Sequence, residues 1–191
     1  VKDGIAAARK PFVTFRHRDP ADLARRLKDE LKPGQRPLLM TDGVFPTFGA
    51  IAPLPDYIKV MEPYGGAIAL DDCHGVGVLG KNGVGTIEHF GLRMGERLVM
   101  AGTLSKAFGG HGGFVVGSRA LCSKIRALGI YPGATPSPTP AVAASIKGIE
   151  IVKAHPEMRE RLWKNVAAVK GGLRALGFDM NDSPMPVAAW T

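Results

Sequence analysis

Apolar residues in this chain fall into two textures, short uninterrupted runs and stripes of helical spacing. Ala67-Ile68-Ala69-Leu70 contains no polar residue and stops at Asp71-Asp72. Leu98-Val99-Met100-Ala101 does the same before Gly102-Thr103, and Phe114-Val115-Val116 is a third run. Pro37–Met40 reads as a shorter strand, with Thr41-Asp42-Gly43 as the turn at its end. Between these runs lie helical signals. Asp19-Pro20 opens a helix, because Asp caps and Pro fits the first turn. Leu23, Leu27 and Leu31 then recur at every fourth position, and Pro33-Gly34 stops the pattern. Asp56–Met61 is a weaker helix that ends before Gly65-Gly66. Continuous apolar strands separated by helices predict strands covered on both faces. That is an α/β sheet and not a sandwich.

After Pro140 the texture changes. Ala141–Val152 is Ala-rich and helical, and His155-Pro156 interrupts it. A long amphipathic helix follows, carrying Met158, Leu162, Val166, Val169, Leu173 and Leu176 on one stripe, and Gly177 ends it. Pro186-Val187-Ala188-Ala189-Trp190 reads as a strand. A lone strand is an unlikely place for a domain to close. The expected division is therefore a partial large domain over 1–155, then the truncated start of a C-terminal small domain over 156–191. No internal repeat or low-complexity tract is visible.

Composition narrows the class. The chain has 191 residues, 45% hydrophobic and 22% charged, which excludes intrinsic disorder. No apolar run reaches the roughly 18–20 residues of a membrane helix. The net charge of +8 is scattered over polar stretches such as Arg16, Arg18, Arg25, Arg26, Lys28, Arg159, Arg161 and Lys164. These read as solvated helix faces, and no nucleic-acid-binding signature accompanies them. Val1-Lys2-Asp3 opens the chain with neither Met nor a leader, so the expectation is that processing or truncation has removed a start. The two cysteines, Cys73 and Cys122, have no metal-ligand spacing. A reduced, cytoplasmic protein with buried thiols is the default.

Ligands of α/β sheets sit beyond the carboxyl ends of the strands. Two predicted ends carry reactive groups: Asp71-Asp72-Cys73-His74, and Thr103-Leu104-Ser105-Lys106. Gly75, Gly77 and Gly80 follow the first, and Gly109, Gly110, Gly112 and Gly113 the second. An acid, an imidazole, a hydroxyl and an amine can thus converge on one cleft. Taken singly, each has a plainer reading. The aspartates suit a solvated turn, His74 a hydrogen-bonded structural histidine, and Lys106 a surface cation. The glycines fit neither a Walker pattern nor a dinucleotide fingerprint. No second ligand cluster joins Asp, Cys and His, so no metal site is expected.

Taken together, the segments are more specific. Ala69–Leu92 (ALDDCHGVGVLGKNGVGTIEHFGL), Gly102–Ser118 (GTLSKAFGGHGGFVVGS) and Thr41–Tyr57 (TDGVFPTFGAIAPLPDY) resemble the α-oxoamine synthases. These are fold-type I pyridoxal-phosphate enzymes grouped with the class I/II aminotransferases. The resemblance runs from about Asp3 to Val187 and matches only the middle of a longer family member. It implies the large domain of a fold-type I transferase, a mostly parallel sheet covered by helices, incomplete, with the start of a small α+β domain. It also implies a pyridoxal 5'-phosphate cofactor, amino acid and acyl-CoA substrates, and a homodimer with shared active sites. Lys106 resembles the lysine that bonds the cofactor aldehyde, a role that only an amine fills. Asp71 matches the carboxylate that pairs with the pyridine nitrogen, and His74 the histidine bonded to the ring hydroxyl. Thr103 matches a phosphate-binding hydroxyl. Thr135, in Gly133-Ala134-Thr135-Pro136, resembles a threonine that reaches the phosphate across the dimer.

Two positions depart from the family. Pro46-Thr47-Phe48-Gly49 stands where the family reads Ser-Met-Asp-Gly, and Pro46 cannot replace the serine hydroxyl. Either Thr47 takes over that contact or it is lost. His111 replaces a small residue. The resemblance places the family's glycine-rich segment and ring-stacking aromatic before Val1, and its carboxylate-binding arginine after Thr191. The expectation is an inactive fragment of an acyltransferase. The alternatives are another fold-type I reaction such as transamination, or a non-catalytic partner subunit.

Overall fold

The computed structural model describes residues 2–129, 133–180 and 183–189. Helix α1 (Lys2–Ala7) is followed by α2 (Pro20–Glu30). The Asp19 side chain accepts the Asp22 amide at 2.9 Å and caps α2, and Pro20 occupies its first turn. Strand β1 (Leu38–Asp42) leads into a small hairpin of β2 (Val44–Phe45) and β3 (Ala50–Ile51). Helix α3 (Leu54–Met61), strand β4 (Ala67–Asp71), helix α4 (Thr86–His89) and strands β5 (Leu98–Thr103) and β6 (Gly113–Val116) come next. Helices α5 (Arg119–Arg126), α6 (Thr139–Ala154) and α7 (Glu157–Ala175) complete the described elements.

The main sheet has the order β1-β4-β5-β6. Strands β1, β4 and β5 are parallel, and β6 runs antiparallel to β5. Leu39, Ile68 and Leu98 lie side by side in register, as do Thr41, Leu70 and Met100. All six are buried, under Leu23 of α2 and Leu54, Tyr57 and Met61 of α3. Each fully buried Leu or Met contributes about 1.5–3 kcal/mol, so this layer is the main stabilising core.

Cover is unequal on the two faces. On the opposite face Leu38 and Met40 are 58% and 40% exposed, and Ala67, Ala69 and Ala101 are half-buried. A second cluster of Val44, Leu79 and Met185 gathers Ile51, Val78 and Trp163. It seats the chain beyond residue 155 against the β2–β3 hairpin. Arg159 adds bonds to the Lys81 and Val152 carbonyls at 3.1 and 3.2 Å.

Several local expectations change. Strand β1 runs through Asp42, because β4 offers a partner as far as Asp71. Pro186–Ala189 form no strand, and Trp190 lies outside the described residues. On α7 the apolar stripe is only half covered: Met158, Val169 and Leu176 are exposed, whereas Lys170 is buried. Lys170 Nζ donates to the Ser183 carbonyl at 2.5 Å, which explains a lysine on the inner face. Cys73 and Cys122 are free and half-buried rather than buried. Among the described residues, no helix is long and apolar enough to cross a membrane.

Candidate active site

The parallel strands deliver their carboxyl ends to one edge of the sheet. There Asp42 of β1 lies beside Asp71 of β4, and Asp71 beside Ala101 of β5. The Gly43 amide donates to the Asp71 carbonyl at 2.7 Å, and the Asp72 amide to the Ala101 carbonyl at 2.9 Å. Side chains alternate across an extended strand. Asp71 accordingly faces solvent, and Asp72 is fully buried. The Gly75 and Val76 amides both donate to the Asp72 carbonyl at 3.0 Å, so the chain turns at once. Asp71 Oδ1 accepts the Cys73 amide at 3.1 Å within that turn.

Lys106 arrives from the loop that joins β5 to β6. The Leu104 amide donates to the Gly112 carbonyl at 2.9 Å, and the Gly110 amide to the Leu104 carbonyl at 2.8 Å. Gly109 closes a turn on Lys106 with φ +61°, a left-handed conformation that costs glycine little. Helix α6 backs this loop without a gap. A Cβ on Gly148 would overlap the Phe108 carbonyl, and one on Gly110 would overlap Ser145 Oγ. Ser145 Oγ also accepts the His111 amide at 3.1 Å and donates to the Ala141 carbonyl at 2.8 Å.

The two loops meet at Lys106 Nζ and His74 Nε2, which are 2.8 Å apart. A lysine ammonium only donates, so this pair requires Nε2 to accept and the ring proton to sit on Nδ1. Burial pushes the His74 pKa below its ordinary 6.5, and the Lys106 charge pushes it further; Asp71 and Asp42 pull the other way. Burial and the neighbouring Asp71 raise the Asp42 carboxyl, while His74 and Lys106 oppose that rise. Burial, then the Asp71 carboxylate, lifts the Cys73 thiol to about 11, which makes it a poor nucleophile.

Of the residues expected from sequence, Asp71, His74, Lys106 and Thr103 converge on this edge. Thr103 Oγ1 lies 2.7 Å from Ser105 Oγ and donates to the Gly112 carbonyl at 3.2 Å. Thr135 lies exposed on the segment 133–138, and among the described residues no hydrogen bond joins it to the other four. Pro46 and Thr47 are exposed between β2 and β3. Asp42 and Ser105 belong to the group, although neither was singled out from sequence. Asp42 stood at a predicted strand end, which was the available signal. The partnership of Asp72 with Thr86, 14 residues on, had no sequence signal at all.

The donor set suits pyridoxal phosphate. It offers an amine for an aldehyde, a carboxylate for a protonated ring nitrogen, an imidazole for a ring hydroxyl, and hydroxyls for a phosphate.

Residues 1–191 match the family model for aminotransferase class I and II, and the chain belongs to that family. Its relatives narrow the likeness. The 8-amino-7-oxononanoate synthase of Symbiobacterium thermophilum is 43% identical over 186 residues, which cover 97% of this chain and 47% of the relative. The 8-amino-7-oxononanoate synthase 1 of Bacillus subtilis (strain 168) is 39% identical over 186 residues, with the same coverage. A serine palmitoyltransferase of S. paucimobilis, solved with a bound PLP–myriocin aldimine, superposes with a TM-score of 0.86 at 33% identity, over 94% of this chain and 47% of that one. The 8-amino-7-oxononanoate synthase of Francisella tularensis superposes with a TM-score of 0.78 at 25% identity, over 98% and 54%. The chain spans about half the length of the curated relatives it matches.

Proposed function

We propose that the protein carrying this chain is a pyridoxal-phosphate-dependent acyltransferase of the α-oxoamine synthase type. It joins the α-carbon of an amino acid to the carbonyl carbon of an acyl-CoA, expels the CoA thiol and releases carbon dioxide. The observation that carries this reading is the Lys106–His74 contact of 2.8 Å beside Asp71. The 43% identity to an 8-amino-7-oxononanoate synthase supports the reaction class.

Lys106 holds the coenzyme through its aldehyde carbon. Asp71 would accept from the ring nitrogen, His74 would bond the ring oxygen through its Nδ1–H, and the Thr103 hydroxyl would bond the phosphate. Bound pyridoxal phosphate supplies an electron-poor ring that takes up the electron pair left at the substrate α-carbon. Once the substrate amine has replaced it on the coenzyme, Lys106 Nζ would be the base that carries the α-proton. His74, held neutral by burial, keeps Nε2 open to orient that amine. Two such chains pair as a homodimer in the cytoplasm, with Thr135 reaching the site of the other subunit. The exposed Pro-rich segment around Thr135 supports that placement. Residues 156–191 open a second domain.

The test uses the full-length protein. It is expected to show a visible absorbance band that borohydride removes and fixes as a covalent adduct on Lys106, and to release CoA from an acyl-CoA when given an amino acid. A Lys106→Ala protein that still carries a reducible adduct on another lysine overturns the assignment. Amino-group exchange with a 2-oxo acid, with no CoA release, places the protein among aminotransferases instead.

A further inference from the structure

Asp72 is buried completely, and so is its partner Thr86. Its carboxylate takes the Thr86 amide at 2.7 Å on Oδ2 and the Thr86 hydroxyl at 2.5 Å on Oδ1. Three glycine backbones wall in the same carboxylate. A Cβ on Gly43, Gly75 or Gly85 would overlap one of its oxygens. These glycines come from three separate segments: the residue after β1, the turn after β4 and the entry to α4. Gly85 also needs its φ of +104°, which other residues rarely adopt. Buried carboxylates are costly unless hydrogen-bonded. The close backbone approach and the Thr86 bonds meet that requirement at one spot, directly after Asp71 and two residues before His74.

We infer that Asp72 is a positioning residue for the active site: clamped by Thr86 and enclosed by Gly43, Gly75 and Gly85, it fixes the end of β4, and with it the directions of Asp71 and His74. The inference rests on the pyridoxal-phosphate reading for its consequence, but the geometry belongs to the chain alone. Among the described residues, no hydrogen bond joins the Asp72 side chain to Lys106 or His74. Asp72 acts through the backbone it anchors, since its amide is tied to Ala101 and its carbonyl to Gly75 and Val76. The groups that bear on His74 are Asp42, Asp71 and Lys106, and each sits on a segment next to this anchor.

The test compares three variants of the full-length protein. Asp72→Asn keeps both bonds, because its oxygen accepts the Thr86 amide and its NH2 donates to the Thr86 hydroxyl. Asp72→Ala loses both, and Thr86→Ala loses the hydroxyl bond alone. Two readouts are followed: the His74 titration by NMR in coenzyme-free, histidine-labelled protein, and the pyridoxal-phosphate Kd with the visible circular dichroism of bound coenzyme. Asp72→Asn is expected to stay within about twofold of the parent Kd and to keep the depressed His74 pKa. Asp72→Ala is expected to weaken coenzyme binding tenfold or more and return the His74 pKa toward 6.5. Thr86→Ala moves both readouts in the same direction, and it decides the matter where Asp72→Ala does not fold.

Loss of thermal stability with an unchanged His74 titration and unchanged dichroism overturns the inference in favour of a purely structural role. Equal damage from Asp72→Asn and Asp72→Ala overturns it in favour of a charge effect. A parent protein with no borohydride-reducible band defeats the coenzyme reading alone, and the coenzyme-free titration still decides the role of Asp72.

Discussion

Lys106 Nζ and His74 Nε2 are hydrogen-bonded at 2.8 Å across a sequence separation of 32 residues. The contact links the loop after β4 to the loop after β5 and exposes His74 to the Lys106 charge.

Removing that charge tests the link. In Lys106→Met the pKa of His74 is expected to rise, because the second of the two causes that depress it is gone and only burial still opposes Asp71 and Asp42. The folded pKa is depressed, so the neutral ring is the form the fold favours. The stability it contributes is complete above 6.5 and is lost as pH falls through the folded value. NMR titration of His74 with urea unfolding between pH 5 and 8 checks both statements; an unchanged pKa in Lys106→Met would contradict the contact.

Asp72 titrates with the opposite consequence. Burial raises its pKa from 3.8 to about 6 against the pull of the Thr86 bonds. Between those values the folded chain holds a proton that the unfolded chain has released. Asp72 therefore favours folding below 3.8, and that contribution declines as pH rises through about 6. The expected outcome is that Asp72→Asn removes this decline, leaving a flatter stability profile between pH 4 and 6. Denaturant midpoints at closely spaced pH values measure it.

The seam between α6 and the Lys106 loop leaves no room for a methyl group. Gly148→Ala would drive a Cβ into the Phe108 carbonyl, and backbone cannot step aside as a flexible side chain can. Overpacking of this kind costs about 1–3 kcal/mol. Gly171→Ala is the control, because nothing lies within 4 Å of a Cβ there and alanine favours the helix. Urea unfolding should show a loss for the first variant and none for the second.

At α2 the carboxylate of Asp22, 2% exposed, accepts the Arg16 amide at 2.8 Å and Arg25 Nη2 at 2.6 Å. Its pKa lies below 3.8, chiefly through the Arg16 amide and the Arg25 bond. The stability it contributes is present above 3.8 and is lost as pH falls through the folded value. Asp22→Asn is expected to unfold more readily at pH 7, with a difference from the parent that shrinks toward pH 2. A gap that stays constant across that range would show that the carboxylate charge is not what matters.

Local signals made much of this fold legible. Asp19-Pro20 marked the start of α2, and the apolar runs marked β4, β5 and β6 to within a residue or two. Those signals work because caps and buried strands are decided by neighbours in sequence. Elements decided by distant partners were not legible. The two-residue strands β2 and β3 exist through their pairing of Val44 with Ile51. Helix α4 begins where Asp72 receives Thr86, 14 residues away. On α7, periodicity selected Val169 and Leu176, but the inner face carries Trp163 and Lys170, because the neighbouring surface offers both apolar side chains and the Ser183 carbonyl. At the site, Asp71, His74, Thr103 and Lys106 were legible as residue types at strand ends. Asp42 and Ser105 were not, because their roles come from register and loop closure.

The antiparallel direction of β6 bears on the amine itself. A parallel connection leaves the sheet at one edge and must re-enter at the other, so its loops travel far. The loop after β5 instead returns to the edge it left, with Gly113 opposite Thr103 and Leu104 bonded to Gly112. Lys106 is thus tethered on both sides by a short closed segment. A doubly tethered amine explores little volume, and its effective concentration at the ends of β4 and β5 is correspondingly high. Lengthening the segment between Lys106 and Gly112 would dilute that amine and loosen its bond to His74, while leaving the bond from the Cys73 amide to Asp71 in place.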